Sequence, residues 1–173
     1  MLIKADELSA LDRGQFFAIY EEGIRENAAE FYTKDDPMEA VRKEEASFGE
    51  FLKGFFTKPG NTYWILAENG VWISALRLSE IEEGFYYLEA LETRPDRRKK
   101  GYAAKLLNSV IETLKQQGSF RICDCVHKRD LPSVRTHLRC GFSIVSETGH
   151  DYISDQDADW EYGFEYRYMP VKN

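Results

Sequence analysis

The sequence predicts an α/β domain with a mixed, mostly antiparallel central sheet flanked by helices. Three observations carry that expectation. Apolar residues recur at spacings of three and four through the first third of the chain, extended apolar runs follow from Asn61, and helical and extended runs alternate after Pro95. A length of 173 residues, 43% of them hydrophobic and 14% aromatic, suffices for one domain with a real core and excludes a disordered or collagen-like polymer. The expected organisation is therefore one domain over residues 1–173, with a helical region at 1–58 and a core at 61–170.

Phe16, Phe17, Tyr20 and Ile24 form one helical stripe, and Val41, Phe48, Phe51, Leu52 and Phe55 form a second, so two amphipathic helices are expected. The second has Asp36 as N-cap, Pro37 at its first position and Glu39 three residues after the cap, a set that satisfies first-turn amides. Residues 62–68 and 71–79 flank Asn69-Gly70, the dipeptide suited to a two-residue type I′ turn, and read as a hairpin. After Glu83-Gly84 a third strand covers 85–93, giving an antiparallel meander. Ala103, Leu107, Val110, Ile111 and Leu114 then line one face of a helix, with Gly118 as its C-cap. Residues 120–126 read as a buried strand, 131–139 as a short helix ended by Gly141, and 142–153 and 162–169 as two closing strands.

Composition narrows the function. With 23 Lys and Arg against 30 Asp and Glu, the net charge of −7 disfavours a nucleic-acid partner. The longest apolar run, Tyr63 to Ala67, is far below the roughly 20 residues of a membrane span. The N-terminus turns acidic before a signal-like stretch can form, so a cytoplasmic address and no membrane partner are expected. Cys123, Cys125 and Cys140 are too few for a disulfide framework, and reduced thiols are expected. Cys123, Cys125 and His127 share a strand face. Side chains two apart there lie about 6.6 Å from each other, too far for ligands about 2.0–2.3 Å from one zinc, so no metal is expected.

The segment Arg94-Pro95-Asp96-Arg97-Arg98-Lys99-Lys100-Gly101 is cationic inside an acidic protein and lies where a strand hands over to a helix. A helix N-terminus offers unpaired amides and a positive dipole end, and Gly101 with Ala103 and Ala104 would let a pyrophosphate approach the backbone. A solvated surface turn is the alternative for such a charge run.

Arg98-x-x-Gly101-x-Ala103, following Thr93-Arg94-Pro95, resembles the acetyl-CoA signature of the Gcn5-related N-acetyltransferases (GNAT). Asp130-x-x-Ser133-x-x-x-His137-x-x-x-Gly141-Phe142 resembles that family's Asn-x-x-[Ala/Ser]-x-x-x-Tyr-x-x-x-Gly-Phe segment, at the matching distance. The resemblance implies a GNAT-like sheet and an acetyl-CoA-dependent N-acetyltransferase acting by direct transfer. It implies that the amides of Arg98, Lys99, Lys100, Gly101, Tyr102, Ala103 and Ala104 hold the CoA pyrophosphate, with charge added by Arg98 and the lysines. Backbone at Leu91 and Thr93 would pair with the pantetheine arm, and Ser133 would lie along it. Asp130 stands where the family has Asn, and His137 where it often has the Tyr that protonates the departing thiolate. The partner implied is a primary amine of a small molecule or peptide, and a homodimer is left open. The alternative reading is a non-catalytic CoA sensor or interaction domain.

Transfer to an amine needs a proton acceptor, because an alkyl amine with a pKa near about 10.4 is protonated at neutral pH. Glu89 interrupts an apolar strand and is expected to share a face with Thr93, which makes it the candidate base; Glu92, expected on the other face, is the runner-up. A glutamate partnered by an Arg or Tyr is the competing reading of Glu89. His137 is the candidate acid, and a packed or solvated histidine is the competing reading. Asp151, Asp155, Asp157, Asp159 and Glu161 cluster before the last strand and read either as a solvated acidic loop or as a site for a cationic acceptor.

Overall fold

The computed structural model describes residues 1–170. The first helical stripe is carried by two helices, α1 (Arg13–Ile19) and α2 (Glu21–Phe31), which break at Tyr20. With α3 (Pro37–Phe55) the first third therefore holds three α-helices where two were expected. The start of α3 follows its cap signal: Asp36 accepts a 2.9 Å bond from the amide of Met38, with Pro37 at the first position. Asp36→Ala is expected to lower unfolding free energy by about 1 kcal/mol, read from the midpoint of urea denaturation.

A strand, β1 (Leu2–Ala5), precedes the helices and pairs antiparallel with β2 (Asn61–Glu68). This corrects the wholly helical expectation for 1–58, since four residues are too few to show a period. β2 and β3 (Val71–Glu82) meet through Asn69 and Gly70, whose φ angles of 51° and 78° are those of a type I′ turn. β4 (Phe85–Thr93), α4 (Tyr102–Lys115), β5 (Phe120–His127) and α5 (Leu131–Arg139) follow. The C-cap of α4 is Gln116, not Gly118, which instead turns with φ of 122° toward β5.

The single strand expected over 142–153 is two, β6 (Ser143–Ser146) and β7 (Gly149–Asp151), and β7 makes a small hairpin with β8 (Gln156–Ala158). With β9 (Glu161–Tyr168) the main sheet has seven strands in the order β1-β2-β3-β4-β5-β9-β6, and among the described residues only β4 and β5 are parallel. α4 packs Leu107, Val110 and Ile111 on one sheet face against Leu76, Leu88 and Ile122. On the other face Phe16, Ile19 and Phe55 cover Tyr63, Ile65 and Ala75. Beyond them the β7–β8 hairpin lays Tyr152 edge-on to Phe85, 4.9 Å between ring centres.

Candidate active site

The sheet opens where its one parallel pair ends. β4 and β5 are paired only at Phe85–Arg121, Tyr86–Ile122 and Tyr87–Cys123. Past that point β4 stays on β3 as far as Thr93, whereas β5 stays on β9 as far as His127. The divergence starts at an irregularity in β4. Ala90 has φ of 52°, and the β3–β4 register runs from Arg77–Glu89 to Ala75–Glu92, so two residues of β4 face one of β3. Tyr20 Oη donates to the Ala90 carbonyl at 2.8 Å and holds the bulge from the helical side. The amide of Arg94 bonds back to Ile73, so by strand alternation the amide of Thr93 turns away from β3.

Below the opening lies the cationic turn. Lys99 and Gly101 have φ of 61° and 79° and curl the chain into α4. Among the described residues, none of the amides from Arg98 through Ala104 donates to a backbone carbonyl, and the first to do so is Lys105, to Gly101 at 3.0 Å. Seven consecutive amides are thus left without a backbone acceptor around a helix N-terminus, an arrangement able to receive an anion. A Cβ built on Gly101 would meet no atom within 4 Å, so this backbone faces open space.

The Arg98 side chain departs from expectation. Instead of adding charge to the turn, it folds back over β4: Nε donates to the Thr93 carbonyl at 3.2 Å, one guanidinium nitrogen contacts Glu22 of α2, and the other lies 3.5 Å from Glu92. Tyr102 also leaves the turn, donating its hydroxyl to Glu68 at 2.9 Å. Lys99 and Lys100 remain exposed beside the free amides.

The bulge also changes which face each carboxylate occupies. Glu89 is paired with Arg77, Glu92 with Ala75 and Thr93 with Ser74. Arg77 and Ala75 share a face, so Glu89 and Glu92 both lie on the α1–α3 side and Thr93 on the α4 side. This corrects the expected pairing of Glu89 with Thr93, which assumed unbroken alternation. Arg77 grips both oxygens of Glu89, at 3.0 and 2.8 Å, and lies over the Phe51 ring at 4.7 Å. Glu92 lines a cleft of about 370 Å³ with Ile19, Ile24, Phe48, Phe51 and Arg98. Burial raises the Glu92 carboxyl pKa against the pull of Arg98, and Glu22 and Asp130 add to the rise.

On the α4 side His137 is 1% exposed. Its Nε2 lies 2.7 Å from Asp124 on β5, and its Nδ1 lies 2.9 Å from the Ser133 carbonyl, so neither nitrogen is free. A carbonyl only accepts, so the proton sits on Nδ1. Burial opposes the imidazolium, but the bond to Asp124 and its charge outweigh burial and raise the His137 pKa. Asp130 caps α5, accepting from the Ser133 amide at 3.1 Å. Four of the five acidic residues before the last strand lie against local partners: Asp157 and Asp155 lie 2.8 and 3.6 Å from His150, Asp159 accepts from Thr148, and Asp151 accepts the amides of Ile153 and Ser154.

Arg77, Glu22 and Asp124 were not singled out from the sequence. Arg77 and Asp124 each interrupt an apolar strand, as Glu89 does, and that signal would have found them; nothing in the sequence marks Glu22. Burial pushes the thiols of Cys123 and Cys125 up to about 11. Among the described residues, no group of three or more His, Cys, Asp or Glu side chains is placed to hold a metal ion, and no helix is long and apolar enough to cross a membrane.

An opened sheet followed by a turn of free amides defines the protein as an α/β domain with a candidate anion site at the divergence of β4 and β5. Residues 21–142 match the model of the acetyltransferase (GNAT) family, and the chain belongs to that family. Its fold is similar to that of the PaiA N-acetyltransferase of Thermoplasma acidophilum, solved in complex with coenzyme A, with a TM-score of 0.64 and 14% identity over 97% of this chain and 99% of that one. It is also similar to the ribosomal-protein-S18-alanine N-acetyltransferase of Escherichia coli, with a TM-score of 0.62 and 14% identity over 99% of this chain and 97% of that one. An N-acetyltransferase from Staphylococcus aureus Mu50 gives 0.57 and 16% identity over 98% of each chain. No curated protein matches the chain in sequence.

Proposed function

We propose that the protein moves an acetyl group from acetyl-CoA directly to a primary amine of a small molecule or peptide. The run of seven free amides at the mouth of the opened sheet carries this reading. In it the amides of Arg98 through Ala104 receive the pyrophosphate, and Gly101 admits it to the backbone. Lys99 and Lys100 add positive charge. The pantetheine arm enters between β4 and β5, pairing with backbone at Leu91 and Thr93 and passing Ser133, which Asp130 holds in place by capping α5.

Glu89, clamped at both oxygens by Arg77, forms the rigid floor on the acceptor side. His137 serves as the partner of Asp124 rather than as the acid. The departing thiol has a pKa near about 8.5, so its thiolate leaves without an obligatory donor. Titration calorimetry with acetyl-CoA is expected to show micromolar binding, and an assay of released CoA thiol is expected to show amine-dependent turnover. Absence of binding would overturn the reading. The buried position of His137 favours a second reading, a CoA-binding domain without catalysis, for which binding would occur without turnover.

The acidic hairpin lies outside this account: Asp157 is bonded to His150, Asp159 to Thr148 and Asp151 to turn amides, and the exposed Asp155 lies 3.6 Å from His150. Asp155→Asn combined with Asp157→Asn is therefore expected to leave the KM of an acetylated amine unchanged; a large rise would show that the hairpin recruits the acceptor.

A further inference from the structure

Past its parallel pair with β5, β4 has three carbonyls held by side chains. Tyr20 Oη donates to Ala90 at 2.8 Å, Ser74 Oγ to Glu92 at 2.6 Å and Arg98 Nε to Thr93 at 3.2 Å. Ser74 lies on the neighbouring strand and Arg98 in the turn that follows, whereas Tyr20 reaches in from the break between α1 and α2. Its target is the residue of β4 at positive φ, Ala90 at 52°. An alanine keeps that conformation only where its surroundings fix it. The Tyr20 ring is itself fixed by Phe16, Phe48 and Tyr63, at 4.9, 5.5 and 6.4 Å between ring centres. Burial pushes the hydroxyl pKa well up, so the group keeps its proton and stays a donor.

The peptide between Ala90 and Leu91 is trans, so its carbonyl and its amide point in opposite directions. With the carbonyl held toward the α1–α3 face, the Leu91 amide is aimed away from that face, toward the side on which α4 packs. β4 runs toward the turn of free amides, so an arm that starts at the turn passes Thr93 first and Leu91 second. Its acetyl end then lies at Leu91. We propose that Tyr20 is a positioning residue for the acetyl group: by fixing the Ala90–Leu91 peptide from outside the sheet, it aims the Leu91 amide at the acetyl carbonyl oxygen. The inference rests on the acetyltransferase reading. It also divides the labour within the cosubstrate site. The turn serves CoA and acetyl-CoA alike, whereas the peptide that Tyr20 fixes recognises the carbonyl.

The test is calorimetry on the whole chain with three probes: CoA, acetyl-CoA, and S-ethyl-CoA, a thioether close to acetyl-CoA in size but without the carbonyl oxygen. The wild type is expected to bind acetyl-CoA about fivefold tighter than S-ethyl-CoA, as one hydrogen bond implies. Tyr20→Phe removes the hydroxyl and keeps the ring in its aromatic surroundings. In that variant the preference for acetyl-CoA over S-ethyl-CoA should vanish, while affinity for CoA stays within about twofold of the wild type, because the turn is untouched. A merely structural role for Tyr20 would weaken all three probes together and leave the preference in place. A preference that survives in Tyr20→Phe would overturn the proposal. So would equal binding of acetyl-CoA and S-ethyl-CoA by the wild type, a comparison that decides the matter even if the variant does not fold. If the wild type binds CoA but shows no preference, only the role of Tyr20 falls; if it binds none of the three, the acetyltransferase reading falls and takes this inference with it.

Discussion

Replacing Asp124 with alanine is expected to cost about 3–5 kcal/mol of unfolding free energy, measured by urea denaturation at pH 6. The substitution leaves His137 in the core with Nε2 facing no partner, and its Phe142 and Phe164 neighbours, each 5.2 Å away between ring centres, offer none. Replacing both members by apolar residues, Asp124→Leu with His137→Phe, should recover most of the loss, because an apolar pair leaves no buried charge unmatched. A loss below about 1 kcal/mol for Asp124→Ala would show that the pair carries no net charge interaction.

The same pair sets a pH dependence. The His137 pKa is higher in the folded chain than the ordinary histidine value, with burial opposing the charge and Asp124 overriding burial. The folded state then binds more protons than the unfolded one in the window above about 6.5. Stability from this group is fully present below that value and is lost as pH rises through the folded pKa. The slope should disappear in the doubly apolar variant.

Gly101→Val is expected to weaken acetyl-CoA binding on the order of 100-fold or more, from the loss of two or more charge-assisted amide contacts. At φ of 79° a β-branched residue is strained, and its methyl groups would occupy the open space above the free amides. The unliganded fold should survive with a modest fall in Tm, since the added atoms meet no neighbour. Binding by Gly101→Val equal to that of the parent would remove the turn from the cosubstrate site.

Much of the architecture follows from local signals. The hairpin at Asn69-Gly70, the cap at Asp36, the α4 stripe and the short α5 all lie where period and turn chemistry place them. The strand expected over 142–153 is broken because Glu147 and Thr148 leave the sheet. Thr148 gives two hydrogen bonds, from its amide to Ser146 Oγ and from its hydroxyl to Asp159, neither of which apolar patterning registers. The β1 strand was missed for a different reason: its pairing with β2 joins residues about sixty apart, and nothing in a four-residue segment announces a distant partner.

The candidate site divides along the same line. The sequence by itself determined where the candidate anion turn lies, because a glycine ahead of a helix and adjacent lysines are properties of contiguous residues. It also determined that carboxylates interrupt the strand leading into that turn. Only the tertiary structure decided what those groups do. One bulge at Ala90, held by the hydroxyl of Tyr20 seventy residues away in sequence, reverses the strand alternation and puts Glu89 and Glu92 on one face. Arg98 turns inward because Glu22 on α2 lies within its reach, and His137 is buried because Asp124 on a different element meets it. Side-chain direction in a strand depends on register, and register is set by contacts between segments that the order of residues does not bring together.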